Sequence, residues 1–159
     1  MSQRAKEISK RIVSFADEVI TFVERLTESD WNKVCELEDW TVGVTARHLG
    51  AGHFAISNMA KMIVNGEDLP SLTMDQINAM SEKDSRKHAD CTQTEALEFL
   101  RKNSVELAAF AAGLTDDELD RKGSMSAFGG EVTTEQLFDY IIFQSANQHF
   151  DSMKAAVGK

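Results

Sequence analysis

The stretch EISKRIVSFADEVITFVERL (residues 7–26) is the part of the chain that most directly indicates the fold. Its apolar residues recur at alternating intervals of four and three positions, which places them in one continuous stripe along a helix. They are Ile8, Ile12, Phe15, Val19, Phe22 and Leu26. The stretch therefore predicts a long amphipathic helix.

Three further segments carry helical patterns and start signals. The second helix is predicted from the N-cap Thr41 to Asn65-Gly66, the third from the T-x-x-E capping box at Thr92, and the fourth from the T-x-x-Q box at Thr133 towards Val157. The chain has a single proline in 159 residues, so helices meet few breakers. We predict an all-α fold, a four-helix bundle, in a single domain spanning residues 1–159.

The predicted connections between the helices are unequal in length. Helices two and three are separated by the 26 residues from Gly66 to Cys91, and Thr73-Met74-Asp75-Gln76 opens a short helix within them. A connection this long can cross the length of a bundle, so helices two and three can run parallel. The Gly-rich stretch from Gly123 to Gly130 is interpreted as a flexible segment before the fourth helix, one that can cover a substrate.

Composition limits the classes of partner. Lys and Arg total 17 against 26 Asp and Glu, which gives a formal charge of −9, and this argues against binding to nucleic acid through phosphate contacts. No apolar run approaches the roughly 18 residues of a membrane span, and no apolar segment follows the charged N-terminus. Cys35 and Cys91 lack metal or disulfide spacing and are expected to be free thiols. A cytoplasmic location is the resulting expectation.

Two of the four histidines are candidates for a shared site. His48 lies in the second helix among small neighbours, and His149 lies in the fourth helix in a polar patch that includes Ser145 and Ser152. Bundles build metal sites from inward-facing side chains of facing helices, so a metal held by His48 and His149 is one hypothesis. The alternative is that each is a hydrogen-bonded histidine of the core or rim.

The remaining polar candidates are predicted to have no role in the site. His53 is about 140° around the helix from His48 and is interpreted as a surface or interface imidazole. His88 belongs to a charged run and is expected in a solvated connector. The acidic run from Glu36 to Asp39 is expected to be a solvated loop, because it lacks the ligand spacing of a calcium site.

The sequence resembles the DinB superfamily, which includes the YfiT-like hydrolases and the N-terminal domain of mycothiol-dependent maleylpyruvate isomerase. Trp40-Thr41-Val42 followed by Thr45-Ala46-Arg47-His48-Leu49 resembles the family's start of helix two. The segment from Thr133-Thr134-Glu135-Gln136-Leu137 to Gln148-His149 resembles the last helix. The resemblance spans essentially the whole chain and implies a DinB-like four-helix bundle with a long crossover.

The resemblance also implies a divalent metal, zinc or nickel, held by one histidine of helix two and a pair of ligands in helix four. Carried over by position, the ligands are His48 and His149, and the third position falls on Ser145. A neutral hydroxyl is a poorer zinc or nickel ligand than imidazole or carboxylate. Gln144, Gln148 or a water would then complete a weaker site, with Gln144 and Gln148 as candidate substrate contacts.

Two classes of function remain open at the level of sequence. The resemblance implies a metal-dependent enzyme that activates a low-molecular-weight thiol or water, for transfer, isomerisation or hydrolysis of a small-molecule substrate. The alternative is a relative that has lost the metal and binds a small ligand, or dimerises, without catalysis. A homodimer is expected in either case, because paired bundles are common. Direct DNA binding is disfavoured by the charge.

Overall fold

The structure is a computed structural model that describes residues 2–158, and helices make up most of it. The helices are α1 (Gln3–Glu24), α2 (Glu28–Trp31), α3 (Val42–Val64), α4 (Met74–Lys87), α5 (Gln93–Ala112), α6 (Asp116–Asp120), α7 (Thr134–Leu137) and α8 (Asn147–Val157), with a π-helical segment, Phe138–Ala146, between α7 and α8. The strands are β1 (Val34–Cys35), β2 (Trp40–Thr41), β3 (Lys122–Met125) and β4 (Gly130–Thr133). The predicted all-α four-helix bundle is confirmed: α1, α3, α5 and the continuous C-terminal helix from α7 to α8 are its members.

The helix starts follow the predicted threonine caps. The side chain of Thr41 accepts a hydrogen bond from the amide of Val44 at 3.1 Å, and Thr133 forms a full capping box with Gln136. At Thr92 the threonine half of the predicted box forms with the amide of Glu95. These bonds satisfy amides that a helix leaves free in its first turn, which is why the boundaries were readable from sequence.

Helices α3 and α5 run parallel, as the long crossover allows. Cys91, just before α5, lies with its Sγ 3.7 Å from the carbonyl oxygen of Gly43 at the start of α3. Near the other ends, the Nζ of Lys61 lies 5.5 Å from the ring centroid of Phe110. Helix α4 sits within this crossover, and its capping box at Thr73 agrees with the predicted short helix.

The four long helices run up, down, down and up. Helix α1 is antiparallel to α5 and parallel to the C-terminal helix. The contacts that fix these directions are Ser9 with Ala108 and Gln93 with Val23 for the first pair, and Arg11 with Phe143 and Phe22 with Phe150 for the second. The C-terminal end of α1, the N-terminal ends of α3 and α5 and the C-terminal end of α8 therefore meet at one end of the bundle.

One apolar core runs between the helices. From the stripe predicted in α1, Ile8, Ile12, Phe15 and Val19 are buried, and Phe22 packs against the core while partly exposed. Burying side chains of this size removes apolar surface from water at about 25 cal/mol per Å², which is the main force holding amphipathic helices together. Among residues 2–158 no helix is long and apolar enough to cross a membrane.

The stretch from Gly123 to Gly130 forms a β-hairpin, so the prediction of a flexible segment is wrong. Strand β3 pairs with β4 over four residue pairs, from Lys122 with Thr133 to Met125 with Gly130. Met125 is 2% exposed, so the hairpin is anchored in the core. Gly129 has a φ of 81° and Gly130 a φ of 117°, a region that favours glycine, and this explains the glycine pair as a turn requirement.

Candidate functional site

His48 and His149 are brought together by antiparallel helices at the end of the bundle. Their ring centroids lie 4.8 Å apart with an interplanar angle of 84°. The indole of Trp40, at the end of the β1–β2 hairpin, lies beside both rings, with centroid distances of 5.0 Å to His48 and 6.2 Å to His149. The two imidazoles and the indole therefore form one aromatic cluster between α3, α8 and the hairpin.

His48 is kept neutral at neutral pH. Burial and the neighbouring His149 lower the pKa of His48 from 6.5 to about 4, because both disfavour the imidazolium form. Its ring nitrogens make no hydrogen bond with other groups in residues 2–158. Among these residues, Nε2 of His53 is the one side-chain nitrogen or oxygen that is fully buried and has no hydrogen-bond partner. The nitrogens of His48 also lack a partner, so they are not fully buried and are accessible to solvent.

His149 is hydrogen bonded to a carboxylate. Its Nδ1 lies 2.7 Å from Oε2 of Glu38, and the hydroxyl of Ser152 donates to Oε1 of the same carboxylate at 2.6 Å. The side chain of Glu38 is 3% exposed. Nδ1 of His149 is thus occupied, and Nε2 is the ring nitrogen left for a ligand.

Glu38 is the site residue that sequence reasoning missed. The run from Glu36 to Asp39 was expected to be a solvated loop, and for Glu38 that expectation is wrong. The run contains three acids, and Glu36 and Asp39 are indeed exposed. Nothing in the local sequence distinguishes the inward-facing acid, because its burial depends on pairing between β1 and β2 and on partners more than 110 residues away.

Ser145, Gln144 and Gln148 are exposed, and none of them makes a side-chain hydrogen bond within residues 2–158. Ser145 is four residues before His149, so the two lie on the same side of the helix. The buried residues of this helix recur every four positions through the π-helical segment and into α8. They are Phe138, Ile142, Ala146 and then Phe150. Ser145 and His149 each lie one position before a member of this row, and Ser145 is exposed whereas the side chain of His149 is 19% exposed.

His53 is a core residue, and the prediction of a surface or interface imidazole is wrong. It is fully buried and lies 6.3 Å, ring to ring, from Phe15 in a stacked geometry. Its Nδ1 lies 2.7 Å from the carbonyl oxygen of Leu49, and burial lowers the pKa of the imidazole. His88 caps α4, with Nδ1 3.0 Å from the carbonyl oxygen of Asp84, and is half-buried rather than fully solvated.

Helix α4 is attached to the site through polar contacts. The indole nitrogen of Trp40 donates to Glu82 at 2.9 Å, and the guanidinium of Arg47 donates to Asp84 at 2.8 Å. Within α4 only Ser85 is buried. These two bonds tie α4 to Trp40 and Arg47, the residues beside His48.

The donor set at the histidine pair is small for the zinc or nickel ion that the resemblance implies. Within residues 2–158 no three or more His, Cys, Asp or Glu side chains are grouped so as to hold a metal ion. His48 and His149 supply two nitrogen donors, whereas catalytic zinc sites use three protein ligands. The exposed hydroxyl of Ser145 is a poor third donor. These residues do not fit a tightly held zinc or nickel ion.

A surface groove of about 550 Å³ lies between α1 and α8, beside the site. Phe22 and Phe150 form its apolar part, and their rings meet edge to face at 5.5 Å. Neither His48 nor His149 lines it. The groove is therefore separate from the histidine pair.

Comparisons with known proteins agree with the fold. The family model described as the mycothiol maleylpyruvate isomerase N-terminal domain matches residues 14–142, which leaves His149 just beyond the matched segment. A solved structure, YfiT from Bacillus subtilis, is described as "a probable metal-dependent hydrolase with an unusual four-helix bundle topology". It is similar with a TM-score of 0.71 and 19% identity, over 99% of this chain and 90% of that one.

At 19% identity the likeness to YfiT shows the fold alone. A comparison with curated proteins gives no significant match. The family model, by contrast, covers most of the sequence, and it includes α3 with His48. The chain therefore belongs to the mycothiol maleylpyruvate isomerase N-terminal domain family, within the DinB superfamily.

Proposed function

We propose that this chain is a DinB-type enzyme that acts on a small molecule at the His48–His149 pair by proton transfer. The observation that carries the proposal is the contact of two imidazoles from distant parts of the chain, with ring centroids 4.8 Å apart. Within residues 2–158, neither nitrogen of His48 has a hydrogen-bond partner, and His149 is bonded only through Nδ1, to Glu38. Imidazole is the side chain best suited to exchange protons near neutral pH. A purely structural pair would have its nitrogens bonded within the protein.

The two histidines are assigned different tasks. His149 takes the proton from a thiol S–H or a water O–H through Nε2, which has no partner in residues 2–158. His48, with its pKa lowered to about 4, is a weak base at neutral pH and serves as a neutral hydrogen-bonding group for the substrate. A positioned general base contributes typically 10²–10⁴-fold to a rate.

The reaction class follows the family at a coarse level. The family is named for a mycothiol-dependent isomerase, and YfiT is described as a probable metal-dependent hydrolase. We propose thiol-dependent transfer or isomerisation, or hydrolysis, with a low-molecular-weight thiol or water as the second reactant. No step is assigned to a zinc or nickel ion, because the two imidazoles fall one ligand short of a catalytic site.

The second candidate is a non-catalytic module that binds a small ligand. The observation that favours it is the third ligand position, where an exposed serine stands in place of imidazole or carboxylate. In this case the histidine pair and Trp40 hold a ligand without turnover.

The two candidates are separated by assaying binding and turnover on the same protein. Protein purified without chelator or histidine tag is analysed for zinc and nickel, then screened against thioether, ester and amide substrates with cysteine, glutathione or mycothiol. The enzyme proposal expects turnover that is lost in His48→Ala and His149→Ala and kept in His88→Ala, with metal far below one equivalent. Binding without turnover supports the second candidate, and one equivalent of retained metal contradicts the metal-free assignment.

We also propose that the protein forms a homodimer, that it does not bind nucleic acid and that it is located in the cytoplasm. The charge of −9 supports the second of them, since phosphate contacts need clustered Lys and Arg. Light scattering on a sizing column tests the oligomeric state, and gel shifts at low salt test binding to DNA.

A further inference from the structure

The turn between β1 and β2 buries one carboxylate. The side chain of Glu38 is 3% exposed, while Glu36 and Asp39 on either side are exposed. Asp39 adopts a φ of 59°, a left-handed conformation that Asp tolerates better than most residues, and this allows the tight return into β2. Burying a carboxylate costs free energy unless it is hydrogen bonded, so the partners of Glu38 account for its position.

Both oxygens of Glu38 are engaged by α8. Oε2 lies 2.7 Å from Nδ1 of His149, and Oε1 accepts from the hydroxyl of Ser152 at 2.6 Å. In the described part of the chain the only basic side chain paired with Glu38 is this imidazole. An ionised carboxylate has no proton to donate, so the proton between the two groups is carried by Nδ1.

We infer that Glu38 is a positioning residue that holds His149 with Nδ1 protonated and leaves Nε2 as the free, proton-accepting nitrogen. The inference rests on the proposed function, which gives Nε2 its task. Ser152 restrains the second carboxylate oxygen, and Trp40 and His48 bound the imidazole on its other sides. The nitrogen that is available to a ligand is set by the hydrogen bond at the other nitrogen, which is how carboxylates orient catalytic imidazoles.

The test is ¹⁵N NMR of the imidazole side chains, because the chain has only four histidines to assign. At pH 8.5 the wild type is expected to show His149 with Nδ1 protonated and Nε2 unprotonated. In Glu38→Gln the ratio of Nδ1–H to Nε2–H forms should fall by about tenfold, since a charge-assisted hydrogen bond is lost. Ser152→Ala, which keeps the carboxylate, is expected to stay within about twofold of wild type.

His53 provides a control for folding within the same spectra. Its Nδ1 faces the carbonyl oxygen of Leu49 in the core, so its tautomer should be the same in every folded variant. The inference is overturned if wild-type His149 carries its proton on Nε2, or if Glu38→Gln leaves the ratio unchanged while the His53 signal is native. Should Glu38→Gln fail to fold, the wild-type tautomer alone decides.

This result is independent of the substrate screen. The expected tautomer with no turnover in the screen refutes the proposed function and leaves the assignment of Nδ1 and Nε2 in place. Turnover that depends on His149, in a protein whose His149 is protonated at Nε2, supports the function and refutes the role of Glu38.

Discussion

His48 should make the folded protein sensitive to acid, by an amount that its environment allows us to work out. Its pKa is lowered from 6.5 to about 4, first by burial and second by His149. Between these two pKa values the unfolded chain binds a proton at His48 that the folded chain does not bind. The contribution of His48 to stability is therefore intact above pH 6.5 and is lost as the pH falls towards 4. From these values, going from pH 7 to pH 5 costs about 2 kcal/mol at this one residue.

The perturbation that isolates this contribution is His48→Gln. Urea unfolding followed by circular dichroism at pH 7 and pH 5, with chelator present, gives the free energy of unfolding of each variant. Wild type should lose about 2 kcal/mol more than His48→Gln between the two pH values, because all other titrating groups are common to both. Gln148→Ala, an exposed change beside His149, is the control and should keep the wild-type loss. Equal losses in wild type and His48→Gln would refute the reasoning.

Three further predictions concern the core and α4. Replacing His53 with Leu removes a buried acceptor without a partner, so the urea midpoint should rise by the equivalent of about 1 kcal/mol; a lower midpoint would contradict this. In α3, Gly50→Ala places a Cβ 2.8 Å from the side chain of Phe99 and 3.3 Å from the backbone of Leu100, whereas the Cβ of Gly52→Ala has no atom within 4 Å. Thermal melts should show Gly50→Ala destabilised by about 1–3 kcal/mol and Gly52→Ala stabilised by about 1 kcal/mol. Trp40→Phe removes the indole hydrogen bond to Glu82. Hydrogen exchange of backbone amides should therefore accelerate about fivefold throughout α4 and stay unchanged in α5. Equal acceleration in both helices would show that the whole protein is destabilised and would contradict this prediction.

The helices and their directions were accessible from the sequence because local signals determine them. The stripe in α1, the caps at Thr41 and Thr133 and the length of the crossover all lie within short windows of sequence. The parallel packing of α3 and α5 follows from that length, and the contacts of Gly43 with Cys91 bear it out. Such signals survive folding because caps and apolar periodicity act within the element that carries them.

The β-hairpins and His53 were not predicted, because their environment is set by the rest of the fold. The glycine pair Gly129-Gly130 is compatible with either a flexible linker or a tight turn. In the fold it forms a turn, because the buried Met125 anchors the hairpin in the core. His53 is 140° around the helix from His48 by geometry. This turns it away from the site, but whether that direction meets solvent or core depends on Phe15 of α1.

The exposure of Ser145 explains why the candidate site was only partly predictable. Ser145 lies four residues before His149 and on the same side of the helix, but Ala146 occupies the buried row and Ser145 is exposed. Helical spacing indicates which side of the helix Ser145 occupies, whereas the exposure of that position depends on how the whole fold packs around it.

Two features bear on what holds the histidine pair in place. Ser145 is exposed, and the side chain of Glu38 is buried against His149. Carboxylates orient imidazoles in metal sites as well, where a ligating histidine commonly donates its other ring N–H to a carboxylate or a carbonyl. Here Glu38 and Ser152 restrain His149, and the indole of Trp40 packs against both rings. The contacts of Glu38, Ser152 and Trp40 thus orient the pair from within the protein. Chelator treatment should leave the His149 tautomer unchanged, because the hydrogen bond to Glu38 holds the proton on Nδ1; a tautomer that changes on chelation in the ¹⁵N spectrum would contradict this.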